Sequence, residues 1–481
     1  MKRLAIALPV FLYFAIVVRA EAPHFQHVIV IVQENRTPDN LFQGLCAPPY
    51  GTHASCSTAP DPNQYNIQTS NWLDKTQHGG VTQPQPVELA NDYDLSNAHE
   101  AFRQMCDKGR DGCRMDGAAR IPCLGDCPSQ PQFRYVDNSS GIVDPYLNIA
   151  TQFGWANYMF QTNQGPSFPA HQFLFGGTSA PTAEDDALGI FASENVSGTI
   201  AGCTALRRTS VQLILPPGIE PLDLKIYPCF EHMTMGDFEQ YFSWKYYAPS
   251  AGSIWTAPNA IQHICQSSGY GGECQGEQWT NNVDLQPADV LTDIANCNLR
   301  DVSWVIPTAA NSDQPGLNDG GGPAWVASIV NAVGASDSCD GGSGYWQDTA
   351  IFITWADWGG WYDHERPIIL AQPEGDYQYG FRVPLLVVSA YTPAGYINPY
   401  HHHFGSILRF IERNFGIPEG ALNFADARAE TDLTLFFDST LTPRTFQPIP
   451  TRLDKDFLVN DKRPAGDPHD DKVDSELASY H

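Results

Sequence analysis

A run of five β-branched residues, Val28 to Val32, constrains this chain more than any other stretch. Side chains alternate between faces along a strand, so an unbroken apolar run settles only where both faces are covered, as in a parallel sheet. Gln33, Glu34 and Asn35 follow directly. In open α/β sheets ligands sit beyond the carboxyl ends of the strands, which puts Glu34 and Asn35 where chemistry is usually done. Taken alone, they could equally begin an ordinary polar loop.

Comparable runs recur at 302–307, 349–355 and 382–391. Helical spacing lies between and after them: Tyr146, Ile149, Ala150 and Phe153 before Gly154; Trp325, Ile329 and Val333 after Pro323; Ile407, Leu408, Phe410 and Ile411 before Gly416. This alternation predicts an α/β fold, a mainly parallel sheet flanked by helices. Residues 180–300 are rich in Pro, Gly, Trp and Cys and read as a Cys-rich cap or insertion over that sheet. Residues 446–481 turn charged and are expected to form a loosely held tail, leaving 21–445 as the main unit.

Met1, Lys2 and Arg3, an apolar run to Val18 and a small-residue site at 18–20 have the layout of a signal peptide, residues 1–20, cleaved after Ala20 or Ala22. A membrane anchor is the alternative, but the run is shorter than the roughly 20 apolar residues of a spanning helix. Export, secreted or periplasmic, suits twelve cysteines, an even number. Cys123 and Cys127 lack a second close pair at finger spacing, which favours disulfides over zinc; the connectivity does not follow. The formal charge of −27 would become −30 without Lys2, Arg3 and Arg19. Such a surface repels nucleic acid and anionic membranes, so neither nucleic acid nor a lasting membrane anchor is expected as a partner. An anionic substrate would need a local device, such as a metal ion.

Four further places carry polar residues in informative settings. Ser167 stands between Pro166 and Pro169, a rigid entrance to a helix whose positive end suits an anion; as an ordinary N-cap it would carry no chemistry. Asp357 follows the run 349–355, so two strands far apart in sequence could deliver Glu34 and Asp357 to one edge. Ser96 could cap a short helix carrying His99 near its start, and a histidine triplet, His401 to His403, precedes the last helix.

Several pieces together resemble the bacterial phosphoesterase family of phospholipase C and secreted acid phosphatase type, whose core is similar to that of alkaline phosphatase. They are Glu34-Asn35-Arg36, Gly165-Pro166-Ser167 with Pro169, the stretch 359–364, Gly380 to Pro384, and Ser406 to Glu412. The resemblance spans roughly 27–437. It implies a metal-dependent phosphoric ester hydrolase with a divalent metal ion of unspecified identity, acting on a phosphate-ester small molecule or a phospholipid headgroup. Glu34, Asn35, Ser167 and Asp357 would be metal ligands, Ser167 also the nucleophile, and His99 a second catalytic group. Asn97, Gln314 and His402 would bind substrate. Three positions depart from the family pattern: Asn97 and Gln314 stand where histidines are usual, and Ala356 replaces the first of two acids. Neither amide can act as an acid, and Ala356 removes a donor oxygen. The alternative is therefore a family member with a degraded site that binds phosphate esters with little turnover.

Overall fold

The computed structural model describes residues 23–110, 112–370 and 377–466; the signal-type segment 1–20 lies outside them. Eight strands form the main sheet: β1 (His27–Gln33), β2 (Gly154–Phe160), β3 (Trp244–Tyr247), β4 (Val283–Asp284), β5 (Val302–Val305), β6 (Thr349–Trp355), β7 (Leu385–Val388) and β8 (Tyr396–His403). Their order is β4-β3-β5-β1-β6-β7-β2-β8. All run parallel except β7, which is antiparallel to both neighbours. The predicted mainly parallel sheet is therefore what forms, and β1 is interior to it, with every residue buried.

The helices that matter for the site are α1 (His99–Cys106), α2 (Asp144–Gln152), α3 (Ser167–Gly176), α4 (Gly322–Gly334) and α5 (Phe404–Asn414). They pack in pairs, α2 on α4 and α3 on α5, against a sheet whose central strands are apolar on both faces. Pro323 sits in the first turn of α4, where its missing N–H costs nothing. The α1 helix begins at His99 behind Ala98, so Ser96 lies ahead of the cap that its sequence suggested.

Four features differ from the sequence expectation. β2 and β8 carry no β-branched run, yet they pair in parallel at the sheet edge, with His403 opposite Phe160. The 180–300 stretch is only partly a cap, because β3 and β4 extend the main sheet beyond β5. The tail is held against the body as far as residue 466, including a short helix, α6 (Lys455–Val459). Ile449 and Leu458 are buried, and Asn331 bonds both backbone atoms of Ile449, so a few apolar anchors outweigh the charged composition. Finally, His402, expected at the site, is buried in β8 with Nε2 donating to Asn398 and Nδ1 facing the Thr431 hydroxyl.

All twelve cysteines are paired: Cys46–Cys56, Cys106–Cys113, Cys123–Cys127, Cys203–Cys229, Cys265–Cys274 and Cys297–Cys339. The bridges pin the long loops of the first part and the middle of the chain.

Burial pulls His402 and His403 from the ordinary 6.5 down to about 3. Below pH 6.5 the unfolded chain takes up protons that these rings refuse, so the stability they contribute is full above 6.5 and lost as pH falls toward 3. The slope is about 1.4 kcal/mol per pH unit for each ring. Urea unfolding between pH 6.5 and 4.5 should therefore show a flatter pH dependence for a His402→Gln/His403→Gln double variant than for the parent. Parallel curves would refute this account.

Candidate active site

The site grows from the pairing of β1 with β6, which places Gln33 opposite Trp355. Pairing continues past the strand ends: the Ala356 N–H donates to Gln33 O at 2.8 Å and the Arg36 N–H to Asp357 O at 3.1 Å. Glu34 and Asp357 are thereby delivered side by side, as their positions after two buried strands suggested. Between them the backbone turns sharply. Asn35 adopts φ of 60°, a left-handed conformation that Asn tolerates better than most residues. Gly359, at φ 63°, packs so closely that a Cβ there would lie 2.3 Å from Asn35 O. Only glycine fits.

Ser167 is the first residue of α3, as its setting suggested, and is only 2 % exposed. Its Oγ donates to Asp357 Oδ2 at 2.8 Å, and Asn97 Nδ2 donates to Asp357 Oδ1 at 2.8 Å. The Gly359 N–H reaches the same Oδ1 at 2.8 Å. Glu34 accepts one hydrogen bond, from His171 Nε2 to Oε1 at 2.9 Å, and Oε2 accepts none; the Ser167 hydroxyl is near enough to lower the Glu34 pKa, but its proton goes to Asp357. Both polar atoms of the Asn35 side chain, and Asn97 Oδ1, are likewise buried without partners.

Electrostatics mark the same spot. Burial, and then the charge of Asp357, push Glu34 well above the usual carboxyl range. Burial lifts Asp357 to about 6 despite the three donors that favour its charged form. His171 is pushed down to about 3 by burial, so its contact with Glu34 is a hydrogen bond from a neutral ring and not an ion pair at neutral pH. Two buried carboxyls, unpartnered oxygens and a serine hydroxyl form an oxygen-donor set that fits a hard divalent ion, whose charge would offset both acids. Glu34, Asn35, Ser167 and Asp357 are the residues that would hold it.

The other expected residues are placed less simply. Ala356 is fully buried and offers no ligand. His99 is buried, and its ring sits outside the hydrogen-bonded set around Asp357: Nδ1 donates to Gln164 O at 3.1 Å, which leaves Nε2 bare. Gln164 lies three residues before Ser167, so the ring is tied to the loop that presents the hydroxyl. Gln314 follows Asp313, whose charge also raises Glu34, and its Oε1 is buried without a partner. His402, between Asn398 and Thr431, belongs to the β8 packing and not to this set.

A second polar cluster draws on the stretches 359–364 and 380–384, to which the sequence assigned no role. Asp39, Asp363 and His364 bring ligand atoms within 4.8 Å of one another, a set that suits a divalent ion by residue type. Arg382 already supplies positive charge there. Its Nε and Nη2 reach the two oxygens of Asp363 at 3.1 and 2.9 Å, and Nη2 lies 3.4 Å from Asp39 Oδ1. Its Nη1 donates to the carbonyls of Asn66 and Asn157, both at 2.8 Å. Burial alone would lower the His364 pKa, but Asp39, 2.7 Å from Nδ1, turns the net shift upward. This is a guanidinium-centred brace. Arg382→Met should cost about 3–5 kcal/mol, because it leaves buried acids unpaired. The loss should show in urea unfolding and persist in millimolar Mn2+; full recovery with Mn2+ would instead mark a cation site.

Buried carboxyls gathered around a serine hydroxyl at the carboxyl edge of a mainly parallel sheet lie where α/β proteins bind ligands. The chain belongs to the Phosphoesterase family, which it matches over residues 25–418. Hemolytic phospholipase C of Pseudomonas aeruginosa is 21% identical over 456 residues, covering 86% of this chain and 56% of that protein. Non-hemolytic phospholipase C of Burkholderia pseudomallei is 29% identical over 150 residues, 26% of this chain and 21% of that protein. The chain thus spans little more than half the length of the first relative and about a fifth of the second. Among solved structures, an alkaline phosphatase superfamily protein from Vibrio parahaemolyticus overlaps with a TM-score of 0.29 at 11% identity, covering 57% of this chain and 61% of that one. That overlap is too slight to carry an argument.

Proposed function

We propose that this chain is a metal-assisted phosphoric ester hydrolase of phosphatase or phospholipase C type, with Ser167 as its nucleophile. The observation that carries the proposal is the Ser167 hydroxyl bonded to Asp357, beside the unpartnered oxygens of Glu34 and Asn35. The substrate is a phosphate ester, a small molecule or a phospholipid headgroup. A divalent ion on Glu34, Asn35, Ser167 and Asp357 supplies Lewis acidity, favouring the ionised hydroxyl and offsetting charge on the phosphoryl oxygens. Asp357 Oδ2 accepts the Ser167 proton as Oγ bonds to phosphorus, and the ester oxygen leaves with that proton. Water then cleaves the phosphoseryl bond; the bare Nε2 of His99 takes the water's proton and passes it on, so that Ser167 Oγ leaves as a hydroxyl. Residues 21–445 act as the catalytic unit. The protein works in an oxidising compartment, secreted or periplasmic, where six disulfides persist.

Ala356, Asn97 and Gln314 favour a second reading, a phosphate-ester binding protein with little turnover. With Ala356 in place of an acid, only Glu34 and Asp357 bring formal charge to the proposed ion, which weakens its hold. The one donor that Asn97 directs into the site is engaged by Asp357.

The two readings separate on hydrolysis of a chromogenic phosphomonoester and of a phosphocholine diester by Mn2+-loaded protein. Turnover that falls about a thousandfold or more in Ser167→Ala is expected of the hydrolase. Equal rates in both proteins would remove Ser167 as the nucleophile. Phosphate binding without turnover, with activity gained in Ala356→Asp/Asn97→His/Gln314→His, would establish the binding protein.

A further inference from the structure

We propose that His171 is a positioning residue for the cation site, holding Glu34 in the one orientation that leaves Oε2 free to bind an ion. The inference rests on the metal-site reading of Glu34 and goes beyond it, because it adds a residue that neither the family motifs nor the strand ends single out. Glu34 has two carboxylate oxygens, and they face different environments. Oε1 is engaged by His171 Nε2 at 2.9 Å, whereas Oε2 is equally buried and has no partner in the protein. A carboxylate bonded through one oxygen cannot swing away from the site or turn both oxygens toward the ion; it is prepared as a one-oxygen ligand.

The imidazole is itself held. Its Nδ1 lies 3.5 Å from the Tyr246 hydroxyl, which donates to Trp255 O at 2.8 Å. The Trp255 ring stacks near the imidazole, with centroids 6.5 Å apart and planes 28° apart. Both His171 and Glu34 are wholly inaccessible, so no solvent competes for the bond.

Its place in the fold makes the role specific. His171 is four residues beyond Ser167 on α3, and residues at that spacing share a helix face. One buried helix therefore carries the nucleophile and the group that orients a ligand supplied by β1. The link ties the distance between hydroxyl and carboxylate to a single rigid element. Hydrogen bonds to ligating carboxylates tune affinity as well as geometry, and their loss typically weakens metal binding 10- to 100-fold.

The test is the Mn2+ dissociation constant by calorimetry, measured on the full-length protein beside the melting temperature without metal. His171→Phe keeps a flat ring and loses the donor; His171→Gln keeps a donor of similar reach. We expect His171→Phe to weaken Mn2+ binding about 10- to 100-fold and His171→Gln to recover most of that loss. Affinity unchanged in a folded His171→Phe protein overturns the positioning role and leaves the metal site standing. Failure of the parent protein to bind Mn2+, Ca2+ or Zn2+ overturns the metal site itself, and this inference with it. Should His171→Phe not fold, His171→Met against His171→Gln reads the same contrast, and equal affinities there overturn the proposal.

Discussion

The candidate site depends on one backbone register, Gln33 opposite Trp355 in the parallel pair β1 and β6. A slip of one residue would turn every following side chain to the other face. The pairing runs on through Ala356 and Arg36, so the two loops are zipped together before they diverge. That forces Glu34 and Asp357 into a shared, buried space where the charge of Asp357 disfavours ionisation of Glu34. The left-handed Asn35 and the Gly359 that must pack on its carbonyl are local consequences of the same turn. Strain and unpartnered polar atoms gathered in one place are the usual mark of a site kept for function.

Positive charge inside the protein is distributed unevenly around that space. Among the described residues, two arginines are fully buried. Arg36 lies over the Trp361 ring and donates to Asp313 O, and its charge restrains the rise of Asp313. Arg382 braces Asp39 and Asp363. Among the described residues no arginine or lysine bonds to Glu34 or Asp357, and the histidine that touches Glu34 is neutral. Glu34 and Asp357 thus differ from Asp39, Asp363 and Asp313 in having no buried guanidinium beside them, a position that an external cation would complement.

How much was legible follows from what each residue must do. β1 and β6 were visible because β-branched runs have few other places to go, and Glu34, Asn35 and Asp357 were visible because they follow those runs. β2 was not, since Gly154 to Phe160 carries Asn157 and no β-branched residue. Asn157 is tolerated there because its side chain accepts from the Asn66 N–H and from Trp155, and its carbonyl accepts from Arg382. Ser167 could be assigned to a helix start but not to a buried one. His402 looked functional as part of a triplet, yet Asn398 and Thr431 occupy both of its nitrogens. His171 carried no local mark, since a histidine in an apolar helix has many meanings; Asp363, His364 and Arg382 lay in stretches that carry the family resemblance, but nothing local showed that they meet. The four-residue spacing from Ser167 was the one available hint.

By itself the sequence determined the class of fold, the strands that end in polar residues and the residue types able to hold an ion, because periodicity and side-chain chemistry are local properties. Only the tertiary structure decided which of those residues meet. Neighbourhood across the sheet is set by strand order and register among segments more than 300 residues apart, as for Gln33 and Trp355. Burial, which turns ordinary acids into a raised pair and an ordinary histidine into a neutral donor, exists only once those segments have packed.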